Sequence, residues 1–198
     1  MTKIAILVLA AGEARRFGGR KQLVEVNGSP MLYHVINAVR PLSPHDLYVV
    51  LGAFADDIVP VLDDAIHVIR NRDWQTGIAG SIACGVSHLV ACNKYDGVLI
   101  VLGDQVALKT EDYGRILKSF EHNAVSVADY GDTVGPPALF PKRYMNTLTG
   151  LRGDYGAKKI LLQGDRPIRR VPMQRAAIDI DTREDLRSIS QNDASGPA

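Results

Sequence analysis

Residues Ile4 to Lys21 read IAILVLAAGEARRFGGRK. The first part is a continuous apolar, β-branched run, the second is glycine, alanine and cations, and the junction between them decides the fold. A strand apolar at every position is covered on both faces, which is what helices flanking a parallel sheet provide. GVLIVL, Gly97 to Leu102, repeats that texture. Around these runs strand-like and helix-like patterns alternate: strand Ile4 to Leu9, helix Met31 to Val39, strand Leu47 to Leu51, helix Asp56 to Leu62, strand His67 to Ile69, helix Gly80 to Ala91, strand Gly97 to Leu102 and helix Glu111 to His122. The alternation predicts a three-layer α/β/α fold with a mostly parallel sheet. After Asn123 the segments AVSVADY, GDTVGPP and ALF predict a small, antiparallel β insert, a candidate lip for a second substrate. AAIDIDTREDL then predicts a strand running into a helix.

The chain has 198 residues, the size of one sizeable core, so a single domain is expected over residues 1–190 with a fraying tail over 191–198. Its 23 Lys and Arg balance 22 Asp and Glu, which argues against a protein that coats nucleic acid or an acidic membrane by bulk charge. Any basic site must be local. The apolar start carries only Lys3 as a cation and is too short for a membrane span or a signal peptide, which points to the cytoplasm. Cys84 and Cys92 fall on one expected helix, eight residues apart, and read as two buried, unbridged thiols. The five histidines lack metal-ligand spacing and there is no CxxC, which disfavours a zinc site.

Ligands of open α/β sheets gather beyond the carboxyl ends of the strands, and the segment from Ala10 onward lies there for the first strand. Ala10, Ala11 and Gly12 offer backbone N–H groups with little side chain in the way, while Arg15, Arg16, Arg20 and Lys21 supply charge suited to a polyphosphate. A solvated basic loop is the plainer reading of the same residues. The segment is neither a Walker A loop, since Arg20 separates Gly19 from Lys21, nor a Gly-x-Gly-x-x-Gly fingerprint, since position 14 is Ala.

VLAAGEARRFGGRKQLVEVNG resembles the signature of the MobA-like nucleotidyltransferases, and most closely the cytidylyltransferases acting on molybdenum cofactor. Leu9 to Gly12, Arg16-Phe17-Gly18 and Lys21 carry the likeness. The resemblance implies a Rossmann-like domain whose loop wraps a nucleoside triphosphate, with Arg16 and Lys21 on phosphate oxygens. Ala11 and the KQL that follows the loop resemble the CTP-using branch, with GTP the alternative.

Four further segments extend the resemblance. Asp104 in LGDQV can merely turn the chain after Gly103 or can reach a cation beyond a strand end; similarity to the family's Leu-Gly-Asp-Gln-Pro implies the metal role. NRDWQTGIAGSIACG leads into a helix start that can be an ordinary cap or a ligand site, and the family likeness implies that Gly80 and Ser81 contact the nucleotide. Trp74 there can stack on a base or pack on its own loop. In AIDIDTREDL, Asp179 and Asp181 share a strand face, and Asp181 can cap the next helix with Glu184, ligate a metal, or both. The resemblance places the second metal ligand at Asp181, with Asp179 in reserve. Gly135, Pro136 and Pro137, together with Asp154 and Gly156, match segments that face the second substrate, Pro136 standing where the family usually has His. Together these imply Mg²⁺-dependent transfer of CMP from CTP to a phosphorylated acceptor of the molybdopterin type, with Arg16, Lys21 and Asp104 catalytic and a molybdoenzyme as a client. The competing readings are another phosphorylated acceptor, such as a sugar 1-phosphate, and a non-catalytic cofactor-delivery protein.

Overall fold

The protein is described by a computed structural model over residues 2–153, 167–177 and 185. Asp154, Gly156, Asp179, Asp181 and the tail over 191–198 lie outside the described residues.

β1 (Ile4–Ala10) is followed by the basic loop, a 3-10 turn at Lys21–Leu23, and a two-strand hairpin of β2 (Glu25–Val26) and β3 (Ser29–Pro30). Asn27 and Gly28 both have positive φ, as the tight turn of such a hairpin requires. Then come α1 (Met31–Val39), β4 (Leu47–Leu51), α2 (Ala55–Ile58), β5 (His67–Arg70), α3 (Ile78–Cys92), β6 (Gly97–Leu102), α4 (Thr110–Lys118), β7 (Val125–Asp129), β8 (Val134–Pro141), α5 (Lys142–Thr149) and β9 (Ile168–Pro172). Seven strands form one sheet in the order β5-β4-β1-β6-β8-β7-β9. β8 is antiparallel to β6 and β7, while the remaining pairings are parallel.

β1 shows why a continuous apolar run is needed. Leu7 and Leu9 point into one core with Ile82, Val86 and Leu89 of α3 and Leu148 of α5. Ile6, Val8 and Ala10 point into the other with Val35 and Ile36 of α1 and Tyr113 and Ile116 of α4. Side chains alternate faces with period two, so covering both faces demands an apolar residue at every position. Each fully buried Leu or Ile contributes about 1.5–3 kcal/mol relative to exposure.

The expected antiparallel insert is present as β7 and β8, and β8 pairs with β6 and buries Ala138, Leu139 and Phe140 within the main sheet. Two expectations are corrected. Residues Gln174–Ala177 form a 3-10 turn, so no strand begins at Ala176; the rest of AAIDIDTREDL, apart from Asp185, lies outside the described residues. Cys84 and Cys92 do share α3, but Cys92 is exposed and Cys84 only partly covered. Among the described residues no helix is long and apolar enough to cross a membrane.

Candidate functional site

The strand order changes direction at β1: the chain goes from β1 outward to β4 and β5, then returns to place β6 on the other side. The connections after β1 and β6 therefore diverge and leave a crevice at their carboxyl ends, the position where open α/β sheets bind ligands. Two adjoining cavities occupy it. One of about 260 Å³ is lined by Arg15, Arg16, Phe17, Lys21, Gln22 and Asp104, among others. The other, of about 540 Å³, lies toward Trp74, Gln75, Gly77 and Ser81. Leu9, Gly12, Ala14, Arg15 and Asp104 line both.

The basic loop is held by its own residues. Phe17 is buried against Val26 and Met31 and anchors the loop's middle to the hairpin. The backbone N–H groups of Phe17, Gly18 and Gly19 turn back on the Ala14 carbonyl, with Gly18 and Gly19 at positive φ. Gln22 is buried, and its amide donates to the carbonyls of both Ala10 and Gly12 at 2.9 Å. That amide closes the loop from beneath. Next to it, Lys21 is only 8% exposed and its Nζ sits 2.8 Å from Oδ2 of Asp104, so residues 83 positions apart meet between the two strand ends.

Arg15 and Arg16 are exposed at the rim, Arg15 paired with Glu13 at 2.8 Å. Arg20 instead reaches Asp57 at 3.2 Å and lines neither cavity. A Cβ built on Gly12 would meet nothing within 4 Å, so the backbone there faces open space that a ligand can enter.

Asp104 follows Gly103, whose N–H donates to the Leu9 carbonyl at 2.9 Å and ties the two strand ends together. The other carboxylate oxygen, Oδ1, is buried and has no hydrogen-bond partner among the described residues. A buried anionic oxygen without a donor is costly, and a cation relieves that cost. Tyr113 also has a buried hydroxyl with no hydrogen-bond partner among the described residues; burial, then the charges of Asp112 and Asp104, push its pKa up and keep it a neutral phenol.

Gln105 joins this turn to the lip. Its amide donates to the Pro136 carbonyl at 3.1 Å and to the Ala176 carbonyl at 2.8 Å, and Tyr130 also donates to Pro136. β8 runs antiparallel to β6, which brings Gly135, Pro136 and Pro137 past the carboxyl end of β6, although none of the three lines either cavity.

Ser81 lines the larger cavity, and its hydroxyl accepts from buried Asn71 at 3.1 Å. Gly80 does not line it: a Cβ there would stand 2.1 Å from the Thr76 hydroxyl, so this glycine makes room for the loop that leads into α3. Trp74 packs on the core beside Gly52, where a Cβ would come within 2.5 Å of both Trp74 and the Ala11 carbonyl. Trp74 also lines the cavity wall.

The structure thus brings Leu9, Ala10, Gly12, Arg15, Arg16, Lys21 and Asp104 around one cavity, with Ala11 and Ser81 beside them in the next. Gly80 and the Gly135 to Pro137 turn stand outside both. Sequence reasoning missed Gln22, Gln105 and Asn71, the three buried amides that brace the site. Each lies beside or within a segment already singled out, but its partners are carbonyls that only the fold supplies.

No group of three or more His, Cys, Asp or Glu side chains converges among the described residues. Asp104 nonetheless fits a Mg²⁺ site of the kind built from one or two carboxylates, water and substrate phosphate.

The family profile of the MobA-like NTP transferase domain matches residues 6–168. Among curated proteins, the bifunctional protein GlmU of Desulfitobacterium hafniense strain Y51 is 26% identical over 97% of this chain, which spans 42% of that protein's length. The nicotine blue oxidoreductase of Paenarthrobacter nicotinovorans is 28% identical over 79% of this chain and 80% of its own. Among solved structures, Rv0371c of Mycobacterium tuberculosis H37Rv superposes with a TM-score of 0.83 at 26% identity, covering 96% of this chain and 98% of its own. Rv0371c has also been crystallised in complex with manganese, and that structure superposes with a TM-score of 0.78 at 25% identity, covering 96% of this chain and 99% of its own. On the match over most of its length, this chain belongs to the MobA-like NTP transferase domain family.

Proposed function

We propose that the protein is a Mg²⁺-dependent cytidylyltransferase that moves CMP from CTP to the terminal phosphate of a molybdopterin-type acceptor and releases pyrophosphate. The observation that carries this reading is the meeting of Lys21 and Asp104 at 2.8 Å at the switch point of the sheet, beneath a loop rimmed by Arg15 and Arg16. The choice of CTP rests on Ala11 and the KQL after the loop, which resemble the CTP-using branch.

In the reaction, an acceptor phosphate oxygen forms a bond to the α-phosphorus while the bond from that phosphorus to the bridging oxygen breaks, and pyrophosphate departs with the electron pair. A phosphate monoester loses its second proton near pH 6, so the nucleophile is largely a dianion at pH 7 and needs no general base. The chain's task is to hold the groups in line and to neutralise charge growing on the leaving pyrophosphate. Lys21, Arg15 and Arg16 do the second. Gln22 fixes the curvature of the loop that does the first, and Ser81 and the Trp74 wall bound the space left for base and ribose. Bound at Asp104, Mg²⁺ supplies Lewis-acid polarisation of the α-phosphate. Gly135 to Pro137 face the acceptor in this reading, and Asp154, Gly156 and Asp181 keep the roles that the resemblance implies. A molybdoenzyme is the proposed client.

A second reading is the same transfer to a different acceptor, such as a sugar 1-phosphate, or from GTP. Pro136 favours it, because a proline cannot make the side-chain hydrogen bond of the His usual there. The relative named as an oxidoreductase raises redox chemistry as a further possibility for this fold. One experiment separates these: incubation with CTP or GTP, Mg²⁺ and molybdopterin, with pyrophosphate measured and the product weighed by mass spectrometry. A product heavier than the acceptor by a cytidylyl group, with stoichiometric pyrophosphate, is expected. Pyrophosphate only with GTP or a sugar 1-phosphate would move the assignment to the second reading. Oxidation of a substrate without pyrophosphate would overturn nucleotidyl transfer.

A further inference from the structure

The main sheet is interrupted beside the site. Pairing of β8 with β6 stops at Ala138, opposite Ile100. On its other edge β8 pairs Ala138 with Val127 and then Gly135 with Ala128, so Pro136 and Pro137 bulge out with no opposite residue in either register. Proline has no N–H to give a ladder and is tolerated at a bulge, and bulges beside active sites re-aim the chain. The Pro136 carbonyl still needs donors, and two side chains supply them: the Gln105 amide at 3.1 Å and the Tyr130 hydroxyl. Tyr130 reaches it because residue 135 is glycine, where a Cβ would stand 2.6 Å from the hydroxyl oxygen.

Gln105 follows Asp104 directly and is only 1% exposed. Its amide also donates to the Ala176 carbonyl at 2.8 Å, in the 3-10 turn Gln174–Ala177. That turn is itself tied to β7, since the Met173 N–H donates to the Asp129 carbonyl at 2.8 Å. Both partners of the amide are carbonyls, so its nitrogen must face them, and Oε1 is left buried with no partner among the described residues. A bridge that leaves its own acceptor unsatisfied is poorly explained by stability alone. It does fix a distance. The residue next to the Asp104 carboxylate is clamped to the Pro136–Pro137 bulge, although Gln105 lines neither cavity.

We infer that Gln105 is a positioning residue that sets the spacing between Asp104 and the Pro136–Pro137 bulge, and so brings the acceptor phosphate into line with the nucleotide without touching either. This rests on the proposed reading of the Gly135 to Pro137 turn as the acceptor side. It adds what holds that side in register. In-line attack is sensitive to such spacing, because a misplacement of about 1 Å can cost about 100-fold in rate.

The test is steady-state kinetics on the full chain with CTP, Mg²⁺ and molybdopterin, or with a sugar 1-phosphate if that is the acceptor wild type uses. Gln105→Met and Gln105→Leu remove both donors and keep most of the volume. Each is expected to raise KM for the acceptor tenfold or more while KM for CTP stays within twofold of wild type. Tyr95→Phe, at the far end of the sheet, is the control for a purely structural loss and should move neither KM. Circular dichroism establishes folding. Should neither Gln105 variant fold, Tyr130→Phe removes the other donor to the Pro136 carbonyl and is expected to raise the acceptor KM threefold or more. An acceptor KM within twofold of wild type in the folded variants would overturn the inference alone. So would a rise in KM for CTP as large as that for the acceptor, which would show that Gln105 merely supports the Asp104 turn. Wild type that releases no pyrophosphate with either acceptor would instead overturn the transfer reading, and the inference with it.

Discussion

The two ends of the parallel strands use charge in opposite ways. At the amino ends of β1, β4 and β6, Asp46 accepts from the Tyr95 hydroxyl at 2.8 Å and lies near Lys94 at 3.3 Å and Lys3 at 3.5 Å, while Tyr48 shares a hydrogen bond with Tyr95 at 2.7 Å. Both lysines also stand over the Tyr95 ring. At the carboxyl ends, by contrast, Gln22, Asp104 and Gln105 each keep a buried oxygen with no partner among the described residues. Buried polar atoms are satisfied nearly everywhere in native proteins, so a concentration of unsatisfied ones marks a place where stability has been yielded to function. One end staples the sheet and the other is left incomplete for a ligand.

If that contrast is right, substitutions at the two ends must separate activity from stability. The largest effect is expected for Lys21→Ala and Asp104→Ala, each lowering the rate of pyrophosphate release by about 10²- to 10³-fold, the scale found when one preorganised charge-stabilising group is removed. Far-UV circular dichroism should be unchanged.

A smaller effect is expected for Gln22→Leu. It strips two carbonyls of a donor, a penalty of about 1–3 kcal/mol for each buried unsatisfied group. The loop should relax, and calorimetric titration with CTP should show affinity falling about tenfold or more, with a modest drop in melting temperature. Loss of melting temperature with intact CTP affinity would show that the amide only supports the fold.

At the opposite end the order reverses. Tyr95→Phe removes the hydrogen bond to the Asp46 carboxylate together with the one shared with Tyr48, and the charged one alone is a loss of about 1.5–3 kcal/mol, read as a lower denaturant midpoint with pyrophosphate release unaltered.

The smallest effect is a pH dependence. Desolvation raises the Asp46 pKa, but donation from Tyr95 and Lys94 and the charges of Lys3 and Lys94 outweigh it, and the carboxyl lies below its ordinary value. The folded state therefore binds this proton less readily than the unfolded chain does. The resulting stabilisation is present above the unfolded pKa near 3.9 and is lost as pH falls through the lower folded value. Denaturation at pH 5 and pH 3 should show wild type losing more stability over that interval than Asp46→Asn.

The sequence's legibility follows the same division. The strands β1, β4 and β6 are readable to within a residue because covering both faces forces unbroken apolar runs. The Asp56 to Leu62 helix is readable only in part: Pro60 cannot continue it, and the chain there makes α2 followed by a 3-10 turn at Val59–Val61. The β2–β3 hairpin went unread although Asn27-Gly28 is a strong turn signal, because its two-residue strands carry no periodicity. α5 was missed because only Tyr144, Met145 and Leu148 are buried in an otherwise polar stretch. For the site, Lys21 and Asp104 were legible from their segments. Their contact was not, because it depends on β1 and β6 lying side by side. Gln22 and Gln105 act through amide-to-carbonyl bonds, and no residue type in the sequence advertises a carbonyl.

The most direct test of the central claim, that the crevice between β1 and β6 is a triphosphate site, is a crystal structure with a non-hydrolysable CTP analogue and Mn²⁺. The triphosphate is expected along residues 12–21, with Lys21 Nζ moved from Asp104 onto a phosphate oxygen and the metal ion on Asp104. A nucleotide bound elsewhere with the Lys21 to Asp104 pair intact would contradict it.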